Sequence, residues 1–110
     1  MNSINLKIAA EKLQWSEGTV KGFLSKELIT RQNGGFKLVK VAPNTSYPVH
    51  LHPDKTEFIY ILEGNPDFEI DTTHFTGGKN DFFIFPANVK HAIHNNSGSE
   101  IILLVGSIKN

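Results

Sequence analysis

Four residues of this chain have the types and the spacing needed to hold a metal ion. His50 and His52 lie two positions apart, so on a β-strand their side chains point to one face. In their predicted strands, Glu57 and His91 each lie on the same face as apolar residues. A carboxylate on such a face is energetically costly unless it is paired or bound to a cation. Three imidazoles and one carboxylate suit a divalent ion of hard-to-borderline character. His50, His52, Glu57 and His91 are therefore the predicted ligands.

Short converging strands are needed to position these ligands, and the sequence after residue 33 is typical of such strands. Turn residues such as Asn33-Gly34-Gly35 and Gly64-Asn65-Pro66-Asp67 separate runs rich in Val, Ile, Phe and Tyr. The predicted strands are Phe36–Val41, Val49–His52, Glu57–Glu63, Phe68–Ile70, Phe82–Phe85, Val89–His94 and Ile101–Val105. Many short strands at near-regular spacing predict an all-β sandwich or barrel.

The first 33 residues are ambiguous. Ile8–Leu13 is compatible with one or two helical turns, and Val20–Ile29 with a strand. We expect residues 1–33 to form an extension that adds one or two strands to a barrel over residues 34–109. The chain has 110 residues, the size of one ordinary domain, so a single domain is expected over residues 1–110.

Composition narrows the classes of partner. Eleven basic residues balance eleven acidic ones, which removes the electrostatic case for binding nucleic acid or a membrane surface. The start of the chain lacks the long apolar run of a signal peptide, and the longest apolar stretches are too short to span a bilayer. There is no cysteine, so any metal site uses nitrogen and oxygen ligands. A cytoplasmic protein is expected.

The predicted ligands lie within two stretches that resemble the two motifs of the cupin family. Asn44–Gly64 is similar to G-x5-H-x-H-x4-E-x6-G, and Asn80–Asn95 is similar to G-x5-P-x-G-x2-H-x3-N, with every spacing kept. The resemblance implies an RmlC-like jelly-roll β-barrel, also called a double-stranded β-helix. It also implies one divalent ion held by His50, His52, Glu57 and His91. Zn, Mn, Fe, Ni and Cu all accept such a ligand set.

Asparagine replaces the family's glycine at three motif positions, Asn44, Asn80 and Asn88. Among residues with a side chain, asparagine tolerates left-handed backbone angles best. The substitutions therefore predict tight turns with positive φ in at least one of the three.

A weaker resemblance links the chain to the zinc-binding cupin domain of certain anti-sigma factors. It rests on Trp15 and Gly18, on His50-Leu51-His52 with Glu57, and on Leu62-Glu63-Gly64 with Asp67. Those proteins carry a separate helical sigma-binding domain, for which this sequence leaves no room. The resemblance implies the same fold and metal site, without the regulation.

The other notable polar and aromatic residues are not predicted to bind the metal. His94 is three positions after His91 and should face the opposite side of its strand, and His74 should be solvated. Trp15 is expected to pack the extension rather than to form a lid. The polar candidates for lining the open side of the metal site are Ser46, Tyr47, Thr56 and Asn95.

Phe58, Tyr60 and Leu62 alternate with Glu57, Ile59 and Ile61, so they form an apolar outer face that the extension or a second subunit should cover. A homodimer is expected. Three functions stay open: a metalloenzyme, dioxygenase-like or isomerase-like, acting on a small organic molecule; a non-catalytic module that binds a small ligand or senses metal; and a structural barrel with a vestigial histidine cluster.

Overall fold

A computed structural model describes residues 6–110, and nearly all of its regular structure is β. A 3-10 helix, Ala10–Lys12, precedes the strands. The strands are β1 Ser16–Glu17, β2 Phe23–Arg31, β3 Gly34–Val41, β4 Thr45–His50, β5 Lys55–Glu63, β6 Asp67–Ile70, β7 Thr73–Thr76, β8 Phe82–Phe85, β9 His91–Asn95 and β10 Ile101–Lys109. The predicted all-β class is confirmed.

The strands form two antiparallel sheets that face each other as a jelly-roll barrel. One sheet has the order β1-β2-β3-β10-β5-β8, and the other has the order β4-β9-β6-β7. Successive residues of a strand alternate between the interior and the outside, so residues two apart share a face and most strands contribute one apolar row to the core. The buried core residues are Phe23, Val39, Val41, Ile59, Ile61, Phe68, Phe85, Ile93, Ile101, Leu103 and Val105.

Residues before Asn33 contribute β1 and β2 to the larger sheet. The segment ahead of β1 is anchored to the outside of that sheet, where the buried Lys26 ammonium donates to the Ala10 carbonyl at 2.9 Å. The ammonium groups of Lys26 and Lys40 each lie 4.6 Å from the centre of the Trp15 ring. Trp15 therefore packs the N-terminal segment onto β2 and β3 rather than covering a cavity.

Two of the strands predicted at the metal motifs have bounds that differ from those of the observed strands. The predicted strand Val49–His52 ends at His50, and the predicted strand Val89–His94 begins only at His91. Pro48 has no amide hydrogen to donate, and the pairing of β4 with β9 shifts register between Tyr47 and His50. His52 consequently lies in the loop after β4, not on the same strand as His50.

Strand β7 is absent from the strands predicted from the sequence. Asp71 and Thr72 both have positive φ, 48° and 68°, and form the two-residue turn of a β6–β7 hairpin. All four residues of β7 are exposed, so the strand lacks the buried apolar row from which strands are recognised.

The three asparagines at glycine positions of the motifs confirm the backbone prediction. Asn44 has a φ of 53°, Asn80 of 75° and Asn88 of 63°. All three lie between strands, where the chain reverses or bends. Asparagine therefore keeps the left-handed geometry that glycine provides in the motif.

Candidate metal centre

The fold brings all four predicted ligands to one point inside the barrel. Each of His50, His52, Glu57 and His91 offers a nitrogen or oxygen atom that lies within 4.8 Å of the ligand atoms of the others. His50, the last residue of β4, pairs with His91, the first residue of β9. Glu57 approaches from the facing sheet on β5. These four residues are called the inner cluster below.

Backbone carbonyls fix the orientation of two of the imidazoles. His50 Nδ1 lies 2.8 Å from the Pro48 carbonyl oxygen, and His91 Nδ1 lies 3.3 Å from the Val89 carbonyl oxygen. A carbonyl only accepts, so each Nδ1 carries the hydrogen and each Nε2 keeps a lone pair. This arrangement is typical of metal-binding histidines, whose second nitrogen donates to a neighbouring acceptor.

His91 Nε2 is buried and has no hydrogen-bond partner among the described residues. It lies 3.5 Å from Glu57 Oε1, and His52 Nε2 lies 3.4 Å from the same oxygen. A buried polar atom without a partner is costly, and nearly all such atoms in proteins are paired. A cation between the three imidazoles and the carboxylate would satisfy this atom, so the residues fit a metal ion.

Burial and neighbouring charges shift the pKa values of both Glu57 and His52. Burial raises the pKa of Glu57, but the neighbouring His91 imidazole and the charges of Lys55 and His52 outweigh it, and the net pKa is lowered. Burial is also the largest influence on His52; it lowers the pKa, and Glu57 only partly offsets it. Both shifts favour an ionised carboxylate beside a neutral imidazole, which are the forms that bind metal.

Two hydrogen bonds between loops hold His52 close to His91. The Asn88 amide donates to the His52 carbonyl at 2.7 Å, and the Ala87 amide donates to Thr56 Oγ1 at 3.3 Å. The turn before β9 is thereby tied to the loop between β4 and β5. The Phe85 ring stacks on the His91 ring with their centres 4.3 Å apart and restricts its rotation.

A cavity of about 220 Å³ opens beside the inner cluster. Its walls are largely apolar and come from both sheets, with Phe23, Val39, Ile59, Ile93 and Leu103 among them. The volume is below the ~300–1,000 Å³ of pockets for drug-sized ligands. The cavity is therefore suited to a small molecule.

Only one of the four polar residues predicted as candidates for this cavity lines it. Tyr47 lies on the cavity wall, with its ring centre 4.6 Å from that of His50. Ser46 is exposed outside, and Thr56 accepts the hydrogen bond from Ala87. Asn95 is fully buried and structural, because its side-chain nitrogen lies within hydrogen-bond distance of the Val41, Ala42 and Ser99 carbonyls.

His94 and His74 lie outside the inner cluster, on the outer face of the smaller sheet. His94 Nε2 lies 3.2 Å from Glu69 Oε1, and its Nδ1 lies 2.8 Å from Ser46 Oγ. His74 Nε2 lies 3.8 Å from the same Glu69 oxygen. We call Glu69, His74 and His94 the outer cluster. His94 is only 25 % exposed, so it is more covered than a solvated surface residue.

Two lysines of the cavity wall are not among the residues predicted from the sequence. Lys37 and Lys55 line the cavity together with Glu57. The alternation of residues along each strand indicates that both lysines face inward. Lys37 shares a face with Val39 and Val41, and Lys55 shares a face with Glu57 and Ile59.

No helix among residues 6–110 is both long enough and apolar enough to cross a membrane. A jelly-roll barrel with three histidines and one glutamate gathered inside defines a class of β-barrel proteins built around an internal site. Residues 37–106 match the model of the cupin domain family, and the chain belongs to that family.

Curated relatives and solved structures agree with this membership. The chain is 32 % identical over 73 residues to a rhicadhesin receptor of Pisum sativum, an alignment covering 62 % of this chain and 34 % of that protein. The chain thus spans about a third of the length of the curated relatives it matches. About two thirds of each of these relatives therefore lies outside the alignment.

Two solved structures share the fold at low sequence identity. A predicted oxalate decarboxylase of Thermotoga maritima superposes with a TM-score of 0.87 at 17 % identity, covering 96 % of this chain and 100 % of the other. The Cnp3 cupin domain of Schizosaccharomyces pombe gives 0.86 at 15 % identity, covering 96 % and 74 %. The cupin jelly roll is confirmed, but a shared fold does not establish a function, which depends on the residues of the site.

Proposed function

We propose that this protein is a metal-dependent cupin that acts on a small organic molecule in the barrel, with His50, His52, Glu57 and His91 as the metal ligands. The observation that carries the proposal is the buried, unpartnered His91 Nε2 among three further ligand atoms, beside a cavity of about 220 Å³. The ligand set suits Zn, Mn, Fe, Ni or Cu.

The four protein ligands would leave coordination positions of the ion free for a reaction. Four protein ligands on an octahedral ion leave two positions for water, a substrate or dioxygen. An ion held there would supply Lewis-acid polarisation of a bound oxygen or activation of dioxygen. The chain's own residues orient the imidazoles through Pro48 and Val89, restrict the His91 ring through Phe85, and surround the ligand with a largely apolar wall.

A non-catalytic module that binds a small ligand or senses metal is the second candidate. One observation favours it: of Ser46, Tyr47, Thr56 and Asn95, only Tyr47 lines the cavity. Catalysis by proton transfer needs a titratable group within hydrogen-bond reach of the substrate, and outside the inner cluster Tyr47, Lys37 and Lys55 are the titratable residues among the described ones that line the cavity.

Two measurements test these functions. Elemental analysis of protein expressed without added metal should find one divalent ion per chain in the wild type and far less in His91→Ala. Mass spectrometry of the denatured protein should then identify any small molecule retained in the cavity. Turnover of that molecule by the metal-loaded protein supports the enzyme. Retention without turnover supports the binding module, and protein that takes up no metal in either form contradicts both.

We further propose that a second copy of the chain covers the outer face of the larger sheet. Phe82 and Ile84 at the β8 edge are 55 % and 49 % exposed, and Phe36 on β3 is 50 % exposed. Phe58 stacks on Phe82, with ring centres 6.0 Å apart, and extends this apolar surface from β8 onto β5. The contacts of the N-terminal segment with Lys26 and Lys40 lie on β2 and β3, away from the β8 edge of this sheet.

The assembly is tested by light scattering coupled to size exclusion. The wild type should have the mass of a dimer, and Ile84→Lys should have the mass of a monomer. Val49→Lys, which adds the same charge at an exposed position of β4 in the smaller sheet, should remain dimeric. A monomeric wild type would contradict the proposal.

A further inference from the structure

Basic side chains collect where the cavity continues from the inner cluster towards the β2–β3 turn. A second cavity of about 290 Å³ shares Lys37, Lys55 and Glu57 with the first. Its charged lining residues are Arg31, Lys37, Lys55, Lys109, Glu27 and Glu57. Four basic groups against two acidic ones leave a surplus of two positive charges, although the chain as a whole is neutral. A bound divalent ion would increase that surplus.

Lys37 is the unusual member of this group. It is half-buried on the row of β3 that also carries Val39 and Val41, and no carboxylate of residues 6–110 forms an ion pair with it. Lys26, by comparison, has the Ala10 carbonyl and the Trp15 ring as partners. Lys37 is thus available to pair with an anionic ligand that enters the cavity.

Lys55 places a second positive charge next to the proposed metal. Its Nζ lies 3.9 Å from Glu57 Oε2, whereas Glu57 Oε1 is the oxygen that faces His52 and His91. One oxygen of the carboxylate thus faces the two histidines, and the other faces the lysine. A ligand entering beside the inner cluster would meet Lys55 and Lys37 on the same side of the cavity.

We propose that the ligand is a small carboxylic acid, one of whose carboxylates contacts Lys37 and Lys55 while an oxygen of the same molecule reaches the inner cluster. This rests on the proposed metal site and specifies the class of molecule bound there. The enclosed volume limits the ligand to a small molecule, and the positive surplus selects an anion. The rest of the wall is mostly apolar, which favours a ligand with an aliphatic portion.

The test measures binding rather than turnover. Isothermal titration of the zinc-loaded and manganese-loaded protein uses succinate, its neutral diamide and inorganic phosphate as probes. Succinate should bind at least about tenfold more tightly than the diamide, because a hydrogen bond to a charged group contributes ~1.5–3 kcal/mol. Lys37→Met should remove this preference, Lys37→Arg should retain most of it, and Lys79→Met, at an exposed loop position, should not change it.

Metal affinity is measured separately on each variant and should be unchanged in Lys37→Met. Metal binding without a preference for succinate, or a preference that survives in Lys37→Met, would overturn the carboxylic-acid inference and leave the metal site standing. Tighter binding of phosphate than of succinate would also overturn it. Absence of metal binding in the wild type would instead overturn the proposed function.

Discussion

The inner and outer clusters contain the same residue types at similar distances, yet they differ in what they leave available for a metal. In each, one glutamate oxygen approaches two imidazoles: 3.4 and 3.5 Å from His52 and His91 inside, and 3.2 and 3.8 Å from His94 and His74 outside. A carboxylate close to two histidines is therefore insufficient to define a metal site.

The difference lies in burial and in the second nitrogen of each ring. His91 is 2 % exposed and its Nδ1 faces a backbone carbonyl, so Nε2 points at Glu57 with a free lone pair. His94 uses both ring nitrogens, on Ser46 and Glu69, and His74 is 73 % exposed. The inner rings are pre-oriented as ligands, whereas the outer residues satisfy one another on the surface.

Removing one histidine from each cluster gives the largest expected contrast. His91→Ala should weaken metal binding by more than about 100-fold, because even residues that only orient a ligand affect affinity by ~10–100-fold. His94→Ala should leave metal affinity unchanged. Titration of both variants with zinc and manganese measures this directly. Equal losses in the two variants would remove the distinction between the clusters.

Acidification should weaken metal binding nearly as strongly. Three imidazoles must be neutral to bind, so metal affinity should fall steeply from pH 7.5 to pH 5.5. The lowered pKa of His52 should make the observed fall smaller, and Glu57, whose pKa is also lowered, should stay ionised throughout. Zinc affinity measured across this range should show the same profile in His94→Ala.

The turn that positions the inner cluster can be tested through stability. Asn88 has a φ of 63°, and its amide hydrogen bonds to the His52 carbonyl. Asn88→Val should cost about 1–2 kcal/mol, because a β-branched residue is strained at positive φ. Asn88→Gly should be nearly neutral. Chemical denaturation measures both, and a neutral valine variant would show that this turn adapts freely.

The smallest effect is expected from the outer cluster. Glu69→Gln should change the free energy of unfolding by no more than about 1 kcal/mol, as exposed ion pairs generally contribute little. Its metal affinity should equal that of the wild type. A marked loss of affinity would indicate that the outer cluster also takes part in metal binding.

Strand alternation in the sequence is sufficient to separate the two clusters. His91 and His94 differ by three positions and therefore face opposite sides of β9, and Glu57 shares the inner row of β5 with Ile59 and Ile61. The positive φ values at the asparagines are equally predictable, because few residues with a side chain tolerate that conformation.

The features that sequence patterns do not predict depend on contacts between distant segments. Neither the early end of β4 nor the loop position of His52 follows from local pattern, since both depend on the register shift against β9 and the hydrogen bond from Asn88. The partners of His94, and the lack of an ion pair between Lys37 and any carboxylate of residues 6–110, likewise depend on which side chains the other strands bring near. Local pattern therefore locates the ligands better than their surroundings.

The central claim, that the inner cluster alone binds a metal, is tested most directly by thermal melts with and without chelator at pH 7.5 and 5.5. Metal at a hundredfold excess over Kd should stabilise the fold by ~2.7 kcal/mol, and the chelated barrel should remain folded because its core does not depend on the ion. Chelator should lower Tm at pH 7.5 in the wild type and in His94→Ala, less at pH 5.5, and not at all in His91→Ala. Equal melting temperatures of the wild type under all four conditions, or a chelator effect that persists in His91→Ala, would contradict the claim.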